Sequence, residues 1–381
     1  MGTRGVSERR VTDAHTQFLT TKYWPALDGL RALSIVLVLT FHVHDQLWNT
    51  FNGSLGVTLF FAISGFLITT LLLREEKRHA RISLSNFYIR RIFRIVPLYA
   101  VALLLFSVLV LGFAQGQGAG NYLDRLPLLA TFNGEFAGSG TFSHSWSLGI
   151  EEKFYVLWPL LAFGLPLCRR LRAIAVAVLV PLAAIFSFLP GVGYLGIYLP
   201  IIGGCGVALA ANSRAGFRYV HALARPIAAY FLFAVMVVLL VFDRDLPLAE
   251  TSRYAHTLFG IAAILVLPGV LLSNTWIHKF LAHRALAFYG TRAYALYLFH
   301  PLCLEVVDRV IPAGSNIVYL QLARFAMLFA LSLLTAEVIV RVIETPFIRI
   351  GRRLTTKPVR GSTHDVENVE PTSTTSQTQP Q

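Results

Sequence analysis

Apolar stretches of about 20 residues recur along this chain, separated by shorter polar segments that are rich in arginine. A helix of that length crosses a hydrocarbon core of about 30 Å. The pattern therefore predicts an all-α, polytopic membrane protein with a bundle of about ten transmembrane helices. The predicted spans are 27–48, 54–73, 95–114, 147–167, 171–189, 194–211, 225–242, 254–273, 289–310 and 317–342.

Composition and charge agree with a membrane class. Hydrophobic residues make up 55% of the chain and charged residues 14%, whereas soluble domains carry about 25% charged residues. The net charge of +13 comes from lysines and arginines that concentrate in alternate connections. Such alternation indicates topology, with both termini in the cytoplasm, and not nucleic-acid binding. We expect a multi-pass protein of the cell membrane, in contact with membrane lipid.

The same pattern divides the chain into three parts. Residues 1–23 predict a mobile cytoplasmic tail, 24–353 a membrane domain, and 354–381 a disordered cytoplasmic tail that is rich in Ser, Thr, Gln and Glu. The longest outer connection, 115–146, begins with the Gly-rich AQGQGAGN. It could cover an outer opening or serve as a flexible linker.

The first predicted span, LDGLRALSIVLVLTFHVHDQ, contains ionisable residues, which usually mark a functional cavity in a membrane. Arg31 and His42 share one helical face about 16 Å apart along the axis. Snorkelling of Arg31 or a helix-to-helix hydrogen bond from His42 would also explain them. As functional residues, Arg31 would bind an anion and His42 would act as a general base. Asp45 could orient the ring of His42 or simply end the helix, and Asp28 is a further candidate.

Two later stretches carry more candidates. In NFYIRRIFRIVPLY, Arg91 and Arg94 share a face, and either membrane anchoring or binding of a polyanionic cofactor would explain them. In HSWSLGIEEKFYVLWPLL, Glu151 and Glu152 point about 100° apart. We therefore expect one at a cavity near the depth of His42 and the other paired elsewhere, for example with Lys153. Solvation of both glutamates at the interface is the alternative.

Three further side chains are weaker candidates. Ser64 precedes a glycine in an otherwise bulky stretch, which favours close helix packing over chemistry. Tyr155 lies on the same stripe as Glu151. His300 precedes a proline in TRAYALYLFHPL and could be structural or catalytic. No spacing of histidines, cysteines or carboxylates predicts a metal site.

Together these motifs resemble the acyltransferase 3 family of integral-membrane acyltransferases over roughly residues 24–353. The matching stretches, in the family's usual order, are LDGLRALSIVLVLTFH, GVTLFFAISGFLIT, FYIRRIFRIVPLY, HSWSLGIEEKFYVLWP, YALYLFHPL and IETPF. The family's arginine–histidine motif maps onto Arg31 and His42, and its arginine pair onto Arg91 and Arg94. Its two glutamates map onto Glu151 and Glu152.

The resemblance implies transfer of an acyl group, usually acetyl, from cytoplasmic acyl-CoA to a hydroxyl. The expected acceptor is a cell-surface carbohydrate, such as O-antigen, or its lipid-linked precursor. A small-molecule acceptor of macrolide type is the alternative. Some family members carry an extra-cytoplasmic hydrolase-like domain, which here we expect to be a separate protein if it is used at all. A flippase for a lipid-linked sugar is a competing hypothesis from the buried charges alone.

Overall fold

The structure is a computed structural model that describes residues 2–113, 116, 119–189, 193–242 and 252–355. Within these ranges it contains helices and no strands, which confirms the all-α prediction. The α-helices are α1 (Gly2–Thr20), α2 (Pro25–Val43), α3 (Leu55–His79), α4 (Leu84–Phe113), α5 (Tyr122–Ala130), α6 (Trp146–Pro159), α7 (Pro166–Ser187), α8 (Leu199–Asn212), α9 (Arg214–Leu223), α10 (Pro226–Phe242), α11 (Ser252–Leu272), α12 (Trp276–Leu281), α13 (Arg284–Gly290), α14 (Ala293–Val310), α15 (Val318–Ile339) and α16 (Thr345–Thr355). A π-helical turn, Val340–Glu344, joins α15 to α16.

In the described ranges, the helices that are long and apolar enough to cross a membrane are fewer than the ten predicted spans. In the described ranges the segments that qualify are Pro25–Val43, Leu55–His79, Leu84–Phe113, Arg169–Ser187, Tyr194–Asn212 and Val318–Thr355. Helices α9 and α10, bent by 68°, would add a seventh if they form one broken span. The predicted spans 147–167, 254–273 and 289–310 fall on α6, α11 and α14, which do not reach this threshold. The cytoplasmic location of both termini stays a prediction.

Several apolar helices face outward, which is the mark of a membrane protein. Only 17% of the apolar window in Arg169–Ser187, and the same share in Val318–Thr355, is buried inside the protein. In α3, by contrast, 83% is buried. Soluble proteins rarely expose contiguous apolar surface on this scale. Lipid is therefore the environment that covers α7 and α15, while α3 lies at the centre of the bundle.

Glycines bring the central helices α3 and α8 into backbone contact. A Cβ atom on Gly65 would lie 1.8 Å from the carbonyl oxygen of Ile201, and one on Gly204 would lie 2.2 Å from that of Ala62. Small residues at such crossings let helix backbones approach closely in membranes. The two glycines, one from each helix, therefore fix the position of α3 against α8.

Helix α2 is held in the same way from the other side. A Cβ atom on Gly29 would lie 1.9 Å from the carbonyl oxygen of Leu281, at the end of α12. One on Gly290, at the end of α13, would lie 1.7 Å from that of Asp28. The start of α2, which carries Arg31, is thus set by backbone contacts and not by adjustable side chains.

The two predicted tails have different outcomes. The N-terminal residues, expected to be mobile, form α1, whose Phe18 is 1% exposed and lies against the ring of Trp24. Arg74 donates hydrogen bonds to the carbonyl oxygens of Phe18 at 3.0 Å and Thr21 at 2.7 Å, which ties the end of α1 to α3. The prediction of disorder at 354–381 falls almost wholly on residues 356–381, which lie outside the described residues.

The described part of the connection 115–146 is packed and is not a simple flexible linker. It contains α5, and Tyr99 of α4 donates a hydrogen bond to the carbonyl oxygen of Leu129 at 2.7 Å. The buried Arg125 donates from Nε to the carbonyl oxygen of Ala137 at 2.8 Å. The last turn of this connection leads directly into α6 and forms part of a cavity wall.

We predict that Gly65→Ala lowers the stability of the protein because its Cβ would press on the backbone of α8. Overpacking of this kind costs about 1–3 kcal/mol. Thermal unfolding of the purified full chain in detergent measures the effect. Gly112→Ala in α4 is the matched control, since a Cβ there meets nothing within 4 Å. Equal unfolding midpoints for the two variants would contradict the backbone contact.

Candidate active site

His42 lies at the last turn of α2, which ends at Val43 because His44 adopts a left-handed conformation with φ of 55°. The Nδ1 atom of His42 is 2.8 Å from the carbonyl oxygen of Val38. A carbonyl can only accept, so Nδ1 carries the hydrogen and the lone pair of the neutral ring sits on Nε2. The backbone thus fixes both the tautomer and the direction of the basic nitrogen.

His42 lines a cavity of about 280 Å³, which we call the outer cavity. Its wall is mixed, with aromatic and polar side chains from several segments. The wall includes His42, Ser54, His144, Trp146, Tyr194 and His256. Since His144 and Trp146 stand at the junction between the connection 115–146 and α6, this connection helps to form the outer cavity.

Two other histidines lie beside His42. The ring centroid of His300 is 4.7 Å from that of His42 and 5.6 Å from that of His144. His300 donates from Nδ1 to the carbonyl oxygen of Tyr297 at 2.9 Å, and His144 from Nε2 to that of Leu298 at 3.3 Å. The candidate His300 is therefore in contact with His42. His144 was not singled out from the sequence, although it opens the HSWSLG stretch.

The predicted candidates on α3, α4 and α6 converge on a second, narrower cavity of about 100 Å³, the inner cavity. The candidates that line it are Arg31, Ser64, Arg91, Arg94, Glu151, Glu152 and Tyr155. Four separate helices supply them. Periodicity alone does not say which helices are neighbours, so this convergence depends on the packing of the bundle.

Ser64 is the centre of a hydrogen-bonded chain in the inner cavity. It donates to Oε1 of Glu151 at 2.7 Å and accepts from the hydroxyl of Tyr155 at 3.0 Å. The guanidinium of Arg91 lies 4.1 Å from the centroid of the Tyr155 ring. The packing role expected for Ser64 belongs to its neighbour Gly65, while Ser64 connects two of the other candidates.

The expectation that one glutamate would leave the cavity is wrong. Both Glu151 and Glu152 line the inner cavity. Lys153, the partner considered for one of them, instead donates to a carboxylate oxygen of Glu135 and, at 3.0 Å, to the carbonyl oxygen of Phe132. The connection 115–146 therefore neutralises Lys153. The glutamates also line a different cavity from His42, so the expected common site is divided in two.

Asp45 does not contact His42 as expected, because α2 ends before it. Its Oδ2 lies 2.9 Å from Nη1 of Arg324, a side chain of α15 that is 2% exposed. The same guanidinium donates to the carbonyl oxygen of Val43 and to Oδ1 of Asp308, each at 2.5 Å. Arg324 thus holds the end of α2. It lies inside the predicted span 317–342, so its charge was the signal that could have found it.

Asp28 forms an ion pair with Arg31 within α2. Its Oδ1 accepts a hydrogen bond from Nη1 of Arg31 at 3.0 Å, one turn further along α2. The pair keeps the guanidinium of Arg31 extended along the helix. Arg31 lines the inner cavity and also a larger one next to it.

That larger cavity, of about 1200 Å³, is strongly basic, and we call it the vestibule. The basic side chains on its wall are Lys22, Arg31, Arg74, Arg78, Arg81, Arg90, Arg91, Arg94 and Arg352. Vestibule and inner cavity share Arg31, Arg91 and Arg94. The vestibule lies where α3 ends and α4 begins, the end of the bundle that the positive-inside pattern assigns to the cytoplasm.

Inner and outer cavities meet at a neck formed by Val57 and Tyr297, which line both. The Tyr297 hydroxyl donates to the carbonyl oxygen of His144 at 2.6 Å and lies 2.6 Å from the hydroxyl of Ser147. Vestibule, inner cavity and outer cavity therefore follow one another through the bundle. Within the described ranges, no group of three or more His, Cys, Asp or Glu side chains is placed to hold a metal ion.

Comparison with known families supports the assignment that these motifs suggested. A family profile described as an acyltransferase domain matches residues 24–341, most of the chain. The chain belongs to the acyltransferase 3 family. The match begins just before α2 and ends after α15. It therefore includes every segment that lines the outer and inner cavities.

Curated relatives of this acyltransferase 3 chain include several bacterial proteins. The peptidoglycan O-acetyltransferase OatA of Listeria monocytogenes (serovar 1/2a) is 26% identical over 364 residues, covering 87% of this chain and 56% of its own length. A Bacillus subtilis (strain 168) protein with the provisional name peptidoglycan O-acetyltransferase YrhL is 28% identical over 313 residues, covering 73% and 48%.

A Staphylococcus aureus (strain MSSA476) protein with the provisional name O-acetyltransferase SAS0844 is 27% identical over 377 residues, covering 89% of this chain and 60% of its own length. The chain thus spans about half to three fifths of the length of these relatives. No solved structure matches it.

We predict that Arg324→Gln destabilises this acyltransferase 3 protein strongly, because it leaves Asp45 buried without its cation. Breaking a buried ion pair from one side costs about 3–5 kcal/mol. Arg341→Gln is the control, since Arg341 pairs with Glu337 while its own side chain is 75% exposed, and exposed pairs contribute about 1 kcal/mol or less. Thermal unfolding in detergent compares the two. A control as unstable as Arg324→Gln would refute a special role for the buried network.

Proposed function

We propose that the protein is a membrane acyltransferase that moves an acyl group, most simply acetyl, from acyl-CoA in the cytoplasm to a hydroxyl presented at the outer cavity. The observation that carries this proposal is the succession of three cavities with shared walls, which leads from the basic vestibule to His42. Membership of the acyltransferase 3 family gives the reaction class. We expect the cell membrane as its location.

The vestibule suits the nucleotide part of coenzyme A. Its volume of about 1200 Å³ and its arginine-rich wall would accept a bulky ligand that carries several phosphates. Arginines bind phosphate through paired, charge-assisted hydrogen bonds. Arg91 and Arg94 are the central ligands in this proposal, because they face both the vestibule and the inner cavity. Arg31 also lines both the vestibule and the inner cavity, and it would complete the anion site.

The inner cavity suits the thin pantetheine arm that carries the thioester. At about 100 Å³ it is too small for the nucleotide, and its polar wall offers hydrogen-bond partners for the amides of the arm. Ser64 and Tyr155 supply hydroxyls there, and Glu151 and Glu152 supply acceptors. In this arrangement the glutamates position the donor and the arginines, and do not act on the acceptor.

Chemistry would take place near the neck, where Nε2 of His42 carries a lone pair. His42 removes the proton from the acceptor hydroxyl, and the oxygen attacks the thioester carbonyl. The carbon–sulfur bond breaks, and the sulfur leaves with the proton held by His42. Alternatively the same nitrogen first takes the acyl group and then passes it to the acceptor. Both routes need the tautomer that the carbonyl oxygen of Val38 fixes.

The acceptor is proposed to be a carbohydrate of the cell surface or its lipid-linked precursor. The names of the Listeria and Bacillus relatives refer to peptidoglycan, a polymer of sugars with free hydroxyls. Because the chain spans only part of those relatives, their acceptor is carried over as a class and not as one compound. A second protein outside the membrane could pass the acyl group onward.

We predict that His42→Ala reduces acyl transfer from acetyl-CoA by roughly 10²- to 10⁴-fold, the usual contribution of a general base, while acetyl-CoA still binds. Release of coenzyme A by the protein in detergent or nanodiscs measures transfer, and titration with labelled acetyl-CoA measures binding. His221→Ala, in α9 and away from the three cavities, should leave both unchanged. Full transfer by His42→Ala would refute the assignment. A wild-type chain that binds no acetyl-CoA would favour a lipid-linked sugar transporter.

We predict that Arg91→Gln raises the KM for acetyl-CoA by about ten- to a hundredfold, because a charge-assisted hydrogen bond contributes about 1.5–3 kcal/mol. The kcat at saturating donor should change less than the KM. Arg218→Gln on the exposed face of α9 is the control for simple loss of positive charge. A KM that is unchanged in Arg91→Gln would remove this arginine from the phosphate site.

A further inference from the structure

The outer cavity has a second polar wall besides His42 and His144, and the reaction at His42 leaves this wall without a role. It consists of Ser54, which precedes α3, and His256 of α11, both lining the cavity. Nε2 of His256 is 3.5 Å from Oγ of Ser54, and Nδ1 is 3.3 Å from Oγ1 of Thr58. Ser54 also donates to Oδ1 of Asn52 at 2.5 Å.

These contacts fix the donor and acceptor roles within the pair. Because the Ser54 hydrogen is committed to Asn52, Ser54 Oγ is left to accept, and Nε2–H of His256 is the donor that faces it. Thr58 then donates to Nδ1 of His256. The separation of 3.5 Å between Nε2 and Oγ is at the weak limit of a hydrogen bond. A ligand hydroxyl that bridges the pair from the cavity side would accept from Nε2–H and donate to Oγ at shorter distances.

Two aromatic rings complete this wall. Trp146, at the start of α6, and Tyr194, in the turn before α8, both line the outer cavity. Tyr194 is 68% exposed, so its ring is available at the mouth. Small-molecule sites commonly combine apolar or aromatic walls with a few polar groups that fix orientation. Aromatic faces beside paired hydroxyl partners suit a sugar ring, whose C–H face is apolar and whose edge carries hydroxyls.

We propose that Ser54 and His256 hold one hydroxyl of a pyranose ring in the outer cavity, so that a different hydroxyl of the same ring reaches His42. The inference rests on the proposed acyltransferase function and names its acceptor as a polyhydroxylated sugar unit, held between two polar walls. A volume of about 280 Å³ accommodates a single ring and not a folded oligosaccharide. Ser54 and His256 are then specificity-determining residues that touch the acceptor but not the acyl group.

The discrimination expected from such a wall is large. A site built to hydrogen-bond a substrate hydroxyl rejects an analogue that lacks it, because the site's polar groups are then left unpaired. An alcohol with one hydroxyl would satisfy His42 alone. A methyl glycoside would satisfy both walls. The wild-type protein should therefore prefer the glycoside, and this preference should depend on Ser54 and His256.

The experiment uses the full chain in nanodiscs, with acetyl-CoA as donor and two acceptors that each carry one six-membered ring, methyl N-acetyl-β-glucosaminide and cyclohexylmethanol. The variants are Ser54→Ala and His256→Ala, with His256→Gln as the variant that keeps a donor, and His221→Ala as the control. Loss of one hydrogen bond should lower kcat/KM for the glycoside about tenfold. Transfer to cyclohexylmethanol should change by less than about twofold, and His256→Gln should recover part of the glycoside activity. Unchanged acetyl-CoA titration checks that each variant is folded.

The proposal is overturned if both transfers fall in parallel in the Ser54 and His256 variants, or if neither changes. Binding of the glycoside without donor, measured by saturation-transfer NMR, separates this proposal from the proposed function. A wild-type chain that cleaves no acetyl-CoA but binds the glycoside through His256 would refute the acyltransferase and retain the sugar site. A chain that transfers acetyl to cyclohexylmethanol but binds no glycoside would do the reverse.

Discussion

Backbone contact between helices is the constraint on which the site depends. At Gly29, Gly65, Gly204 and Gly290 the neighbouring carbonyl oxygen occupies the space that any Cβ would need. Association of helices in lipid gains nothing from burying apolar surface, so it depends on close van der Waals packing and hydrogen bonds. The four contacts fix α2 and α3 without long side chains. Residues next to these glycines, such as Arg31 and Ser64, are then free to face cavities, and their positions vary little.

The ionisable groups of the bundle fall into two physical classes. Arg324 is enclosed with Asp45 and Asp308, and its hydrogens go to their carboxylates and to the end of α2. These contacts compensate the charge of Arg324 within the protein. Arg91 and Arg94 instead line open volume, where water or a ligand must complete their hydrogen bonds. This difference, and not the mere presence of charge in a span, separates the arginine that holds the bundle together from the arginines that line its cavities.

Residue spacing placed Arg31 and His42 on one helix, which α2 confirms, although the two side chains line different cavities. It failed at Asp45, since one left-handed residue, His44, ends the helix and turns the next side chain towards α15. It also failed for Glu151 and Glu152, because a cavity can enclose two directions 100° apart. His256 and Ser54 could not be joined from sequence, as they are about 200 positions apart and meet only through the packing of α3 against α11. The family motifs located the inner cavity; the second wall of the outer cavity has no such motif.

The neck at Val57 and Tyr297 bears on what can pass between the two cavities. A continuous aqueous path through a membrane protein would let protons leak and dissipate the gradient that drives ATP synthesis. Here the Tyr297 hydroxyl donates to the carbonyl oxygen of His144 and contacts Ser147, so these contacts hold in place a side chain that lines both cavities. A barrier only one side chain thick can be spanned by a short organic group while it still insulates.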